Sequence, residues 1–191
     1  IFSNRLFAWN PPLTTLEKIP QYVFDFGQWI DKQNISERTL LLPKLNDTWH
    51  ADAFKWEYWS LSIVTSFLSR KNFIANDGSL VGSEMFFVNN LYADIENNQT
   101  SWQKLAGVLG IKYLLLRNDF FSDLNWSPST FPAVYQKILA ENDEVEKIKT
   151  IGQWDFYRIK KDPYEKVYLP EEVIFYSAQD EDIFKVLSLN F

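Results

Sequence analysis

The densest chemistry in this chain lies in the run Trp49-His50-Ala51-Asp52-Ala53-Phe54-Lys55-Trp56-Glu57-Tyr58-Trp59, followed at a distance by Asn76-Asp77. Aromatic faces beside carboxylates and amides are what a sugar site uses. Rings stack on the apolar C–H face of a pyranose or furanose, and short polar groups take its hydroxyls. The candidate ligand-binding residues are therefore Trp49, His50, Asp52, Trp56, Trp59 and Asp77. Two other readings of the same residues stay open: the tryptophans anchor the segment into the core, or they pack against a partner domain. A carboxylate pair such as Asp52 and Asp77 would also serve a glycoside hydrolase, provided the two groups lay about 5–10 Å apart in a cleft.

Other chemistry finds little support. His50 is the one histidine and cannot alone make a histidine-based metal site, and cysteine is absent, which removes thiolate ligands and cysteine nucleophiles. No glycine-rich phosphate loop, Gly-x-Ser-x-Gly elbow or His-Glu-x-x-His occurs. The expectation is no catalytic set, no metal and no cofactor within this chain. Asn118, Asp119 and Asp123 stand just past a strong strand candidate, where ligands sit in open α/β sheets; a loop cap or solvated turn is the competing reading. The net charge of −6 argues against nucleic acid and anionic lipid as direct partners.

Four Asn-x-Ser/Thr triplets start at Asn34, Asn46, Asn98 and Asn125. Each is either a glycosylation acceptor or an ordinary surface asparagine, and Pro128 directly after the last triplet makes it a poor acceptor.

These residues need elements to hold them. Residues 1–18, with Pro11-Pro12, read as an extended lead-in. Pro20 opens a helical pattern with Ile19, Val23, Phe26 and Ile30 on one face, flanked by Tyr22 and Trp29. Arg38 to Leu42 is a short apolar strand stopped by Pro43, and residues 44–58 read as a long loop. Helical spacing resumes from Trp59 to Arg70, and Phe73 to Ala75 is a second strand. Helices are predicted over about 84–96 and 101–109, the latter ended by Gly110. Lys112 to Arg117 is the clearest strand, and a short helix follows near 132–141. Glu141 to Lys149 is a charge run covering an exposed face. Residues 148–151, 154–159 and 166–169 form an antiparallel meander, and 173–176 with 180–187 close the chain as a βα segment. The fold class expected is α/β: a small, mostly parallel sheet flanked by helices, with an antiparallel β extension in the C-terminal third. Residues 19–145 form the α/β domain and 146–191 the extension.

The segment Leu109-Gly110-Ile111-Lys112-Tyr113-Leu114-Leu115-Leu116-Arg117-Asn118-Asp119 resembles the "LGVKYVVVRND" stretch in extracytoplasmic domains of membrane glycosyltransferases. Arabinofuranosyltransferase-like proteins of the GT-C superfamily carry it and, more loosely, YfhO-type membrane proteins. Trp29-Ile30 with Arg38 to Pro43 looks like their helix followed by an "RVLLLP" strand. The layout from Glu57-Tyr58-Trp59 to Asn76-Asp77-Gly78 is similar to the soluble domain of oligosaccharyltransferase catalytic subunits, and Gly152 to Arg158 with Lys166 to Pro170 looks like a hairpin of the same proteins. Glu57-Tyr58-Trp59 stands where those subunits have the Trp-Trp-Asp that reads acceptor peptides, so peptide recognition is not carried over.

The resemblance implies a non-catalytic domain on the extracytoplasmic face of a cell membrane. It would belong to a multi-pass glycosyltransferase that uses lipid-linked sugar donors. Its partner would be the transmembrane part of the same polypeptide, with acceptor glycan as a second, and it would insert no segment of its own into lipid. The start at Ile1 fits a piece cut from a longer protein. A stand-alone carbohydrate-binding module is the alternative.

Overall fold

The computed structural model describes residues 19–45, 52–56, 58–60, 65, 69–76, 80, 83–120 and 131–162. Its centre is a pair of parallel strands, β1 (Arg38–Leu42) and β5 (Ile111–Arg117), with Leu40 opposite Leu114 and Leu42 opposite Leu116. Their continuous apolar sequences suit strands covered on both faces, and Leu40, Leu41, Leu42, Leu114, Leu115 and Leu116 are all fully buried. The expectation that 38–42 and 112–117 are buried neighbours is met.

In chain order the elements are α1 (Gln21–Asp31), β1, β2 (Asp52–Ala53), β3 (Trp59–Ser60), β4 (Phe73–Ile74), α2 (Ser83–Glu96), α3 (Trp102–Val108), β5, α4 (Pro132–Ala140), β6 (Val145–Ile151) and β7 (Trp154–Ile159). The five-stranded sheet runs β4-β1-β5-β7-β6. β4 and β5 flank β1 in parallel, whereas β7 joins β5, and β6 joins β7, antiparallel. The mixed α/β class with a parallel first part and an antiparallel end is the one the sequence predicts.

Alternate residues of the central strands feed two cores. Leu40, Leu42, Leu114 and Leu116 meet Val88, Leu91, Tyr92 and Ile95 of α2, Trp102 and Leu105 of α3, and Tyr135, Ile138 and Leu139 of α4. Leu41 and Leu115 face the other way, onto Val23, Phe26 and Ile30 of α1, with Phe54, Phe120, Trp154 and Phe156. Lys112, which interrupts the apolar run of β5, is itself buried, and its ammonium donates to the Lys160 carbonyl (3.1 Å) and pairs with the exposed Asp162 (2.5 Å).

One correction concerns an element's type and another an element's start. Trp59 and Ser60 pair with Ala53 and Asp52 as a strand, so the helix expected from Trp59 does not start there; Thr65, further on, is helical. The strand expected at 148–151 starts earlier, at Val145 within the charge run Glu141–Lys149, and its residues from Glu146 to Thr150 are exposed, as expected of that run. Among the described residues the strand lies at the edge of the sheet, and a register shift between Lys147 and Lys149 interrupts its pairing with β7. The lead-in 1–18, the strands expected at 166–169 and 173–176 and the helix expected at 180–187 lie outside the described residues.

Candidate functional site

The aromatic segment folds as a tight hairpin laid across the carboxyl end of β5. Asp52 pairs with Ser60 and Ala53 with Trp59, and the Phe54 amide closes the turn on the Tyr58 carbonyl at 2.9 Å. Phe54 also bridges to Phe120, and the Lys55 amide donates to the Asp119 carbonyl at 2.8 Å. Three rings then cluster: Phe54 stacks on Trp56 (4.8 Å between centroids, 20° between planes), and Trp56 meets Tyr58 at a tilt (5.1 Å, 34°). Phe54 meets Phe120 edge-on at 5.4 Å, an arrangement aromatic quadrupoles favour.

What organises this end of the domain is the carboxylate of Asp119, which is 4% exposed. Its Oδ2 accepts the indole N–H of Trp56 at 2.8 Å and the phenol O–H of Tyr22. Its Oδ1 accepts the indole N–H of Trp154 at 2.9 Å. Charge-assisted hydrogen bonds to a buried carboxylate are the strong kind, and a buried charge persists only when it is so satisfied. Burial, followed by the hydrogen bond and negative charge of Asp119, holds the Tyr22 hydroxyl well above the usual phenol range. Tyr22 therefore remains a donor at any physiological pH. One side chain thus ties α1 (Tyr22), the hairpin (Trp56), the end of β5 (Asp119) and β7 (Trp154).

Around this tie the neighbouring polar groups are also committed. Arg117, fully buried, donates from Nε to the Leu42 carbonyl (3.1 Å) and from Nη2 to the Pro43 carbonyl (3.2 Å). Its guanidinium lies 4.6 Å from the centre of the Phe120 ring. Asn118 donates to Asp155 at 3.0 Å, and Asp155 also receives Thr150 (2.5 Å) and the ammonium of Lys147 (3.1 Å). Burial raises the Asp155 pKa, but the bonds from Thr150, Lys147 and Asn118 outweigh it and hold the carboxyl below its ordinary range. The arrangement fixes loops: three donors converge on Asp119, which acts as a structural anchor.

Of the residues the sequence singles out, Trp56 is half-buried and belongs to the stack, with its N–H on Asp119. Asp52 and Trp59 lie in the two strands of the hairpin. Trp49, His50 and Asp77 lie outside the described residues, as does Asp123. The structure brings Trp56 together with Asp119, a residue the sequence offered as a loop cap. Tyr22 and Trp154 were not foreseen as its partners: they are 97 and 35 positions away, and nothing local marks them. Among the described residues no group of three or more His, Cys, Asp or Glu could hold a metal ion. At the other end of the sheet an open depression of about 440 Å³ is lined by Asp31, Ile35, Ser36, Arg70, Lys71 and Asn72. There the Lys71 ammonium is spent on the carbonyls of Gln33 (2.7 Å) and Ile35 (3.2 Å).

Fold and cluster together define a mixed α/β domain whose strand ends are closed by an aromatic, hydrogen-bonded plug. No family model matches the chain, and no curated protein sequence matches it. Among solved structures, it is similar to the arabinofuranosyltransferase AftD from mycobacteria, with a TM-score of 0.63 and 13% identity. A mutant of AftD, seen in two classes, matches with TM-scores of 0.65 and 0.63 and identities of 13% and 15%. Each alignment covers 77% of this chain and 13% of the other, so the chain spans about an eighth of the length of those proteins. Identities this low show a shared fold. The resemblance carried by residues 109–119, to arabinofuranosyltransferase-like membrane glycosyltransferases, thus extends to the fold. No helix among the described residues is long and apolar enough to cross a membrane.

Proposed function

We propose that this chain is a domain of a multi-pass membrane glycosyltransferase acting on lipid-linked sugars. It lies on the extracytoplasmic face and does not itself carry the catalytic carboxylates. The observation that carries this reading is the coincidence of motif and fold. The segment 109–119, which resembles such enzymes in sequence, is the central strand of a domain similar to part of AftD. Support of the membrane part is the role the geometry favours over acceptor binding. Asp119 and Asp155 are occupied by internal donors, Asn118 being one of those on Asp155, and Trp56 offers one ring face at most, the other being stacked on Phe54. Trp49, His50, Asp52, Trp56, Trp59 and Asp77 remain the candidate contacts if the domain also takes acceptor glycan.

The decisive experiment is to read the coding sequence on either side of this chain. Several hydrophobic spans of about twenty residues are expected in the same polypeptide; a protein without them ends the proposal. Titration of the purified chain with arabinan and mannan oligosaccharides then separates the two roles. A saturable heat signal lost in Trp56→Ala would move the assignment from support to acceptor binding.

A further inference from the structure

Two of the four Asn-x-Ser/Thr triplets fall within the described residues, and the structure treats them differently. In the first, Asn34-Ile35-Ser36, Ile35 packs against the aromatic core and its carbonyl receives Lys71 at 3.2 Å. The Ser36 amide and hydroxyl are both held by Glu37, at 3.0 and 3.1 Å. This triplet is committed to the fold at its second and third residues.

The other, Asn98-Gln99-Thr100, lies in the turn between α2 and α3, and all three residues are exposed. Neighbouring side chains close the helix end: Asn97 donates to the Ala93 carbonyl (2.8 Å) and Ser101 to Asp94 (3.2 Å). Asn98 itself adopts a positive φ of 52°, which asparagine tolerates better than most residues. Its side-chain amide makes no hydrogen bond to any described residue. Tyr92, one helical turn and a half earlier, donates to the Leu41 carbonyl at 2.7 Å, and Glu96 accepts from Tyr135. The turn therefore stands at the carboxyl end of the strands, on the helical face away from the aromatic hairpin.

We propose that Asn98 is the acceptor of an N-linked glycan. The inference rests on the extracytoplasmic placement proposed above, because the donor, a polyprenyl-diphosphate-linked oligosaccharide, presents its sugar on that side. In the transfer a bond forms between Asn98 Nδ2 and the anomeric carbon as the bond from that carbon to the diphosphate oxygen breaks. The amide loses one proton and the polyprenyl diphosphate leaves with the electron pair. A separate transferase supplies the catalysis. The acceptor needs an accessible amide and a Thr hydroxyl two residues on, and among the described triplets both are free only at Asn98.

The test is peptide mapping of the full-length protein from its own membranes, with surface labelling of lysines on intact cells as a location readout. Trypsin releases residues 72–104, which contain Asn98, separately from 33–38, which contain Asn34. The expected result is a glycan mass on most copies of 72–104, fragmenting to Asn98, and an unmodified 33–38. Asn98→Gln and Thr100→Ala abolish the mass increment, and Thr100→Ser retains it. An unmodified 72–104 in a protein whose lysines label from outside overturns the glycan and leaves the placement standing. Lysines that label only after lysis overturn both.

Discussion

The two faces of the sheet are held by different physics. Under α2, α3 and α4 the core is mostly aliphatic, and its interior energy is non-directional burial. Under α1 and the hairpin it is built from aromatic rings, and a buried carboxylate sets their orientation. Two tryptophans make the contrast concrete. Trp102 and Trp154 are both fully buried, yet the indole N–H of Trp102 has no hydrogen-bond partner among the described residues, while that of Trp154 is held by Asp119. A helical face tolerates an orphan donor because area dominates there. The aromatic face, assembled from distant segments with few helical contacts, needs a point of attachment.

The comparison breaks most sharply at Asp119. Asp119→Leu leaves three donors, on Tyr22, Trp56 and Trp154, without an acceptor. At about 1–3 kcal/mol for each buried orphan, a loss on the order of 4 kcal/mol is expected in urea unfolding. A loss below about 1 kcal/mol would show the tie to be incidental. Next comes Gly152, whose φ of +57° disfavours any side chain and whose added Cβ would stand 2.2 Å from the Tyr22 ring. Gly152→Ala should cost about 3 kcal/mol through backbone strain and overpacking, and Tyr22→Ala in the same chain should relieve the steric part.

The tryptophan pair sharpens the comparison with a smaller effect. Trp154→Phe removes a donor from a buried carboxylate and should cost about 2 kcal/mol, whereas Trp102→Phe discards an unsatisfied N–H and should cost roughly half as much or less. Equal losses would mean that ring volume alone matters on both faces. The smallest effect concerns pH at Asp155. Its folded pKa lies below the unfolded value of about 3.9. The resulting stabilisation is therefore present above that value and is lost as pH falls through the lower, folded one. Asp155→Asn should flatten the acid side of a plot of unfolding midpoint against pH below about 4, and leave its slope at pH 6 to 8 unchanged.

The aliphatic face was largely legible in the sequence. The runs Arg38–Leu42 and Lys112–Arg117 announce strands covered on both sides, and the helices expected at 84–96, 101–109 and 132–141 agree with α2, α3 and α4 within a residue or two. Those signals are local periodicities. The aromatic face was less legible because its logic is not local. β2 and β3 are two residues long, too short for alternation to show, so the hairpin read as loop and then helix. Trp56 was picked out for its ring, but its partner Asp119 stands 63 positions away, and only the fold brings them together.

The edge strand β6 has a consequence for how this domain behaves in company. A sheet edge is a row of unpaired amides and carbonyls, a template on which another chain can add a strand. Here the edge carries Glu146, Lys147 and Lys149 and is kinked where its register slips at Ile148. An incoming strand would have to desolvate these charges and would lose hydrogen bonds at the kink. Among the described residues the sheet ends at β6, and the kink there should make copies of this domain resist adding to one another edge to edge at high local concentration.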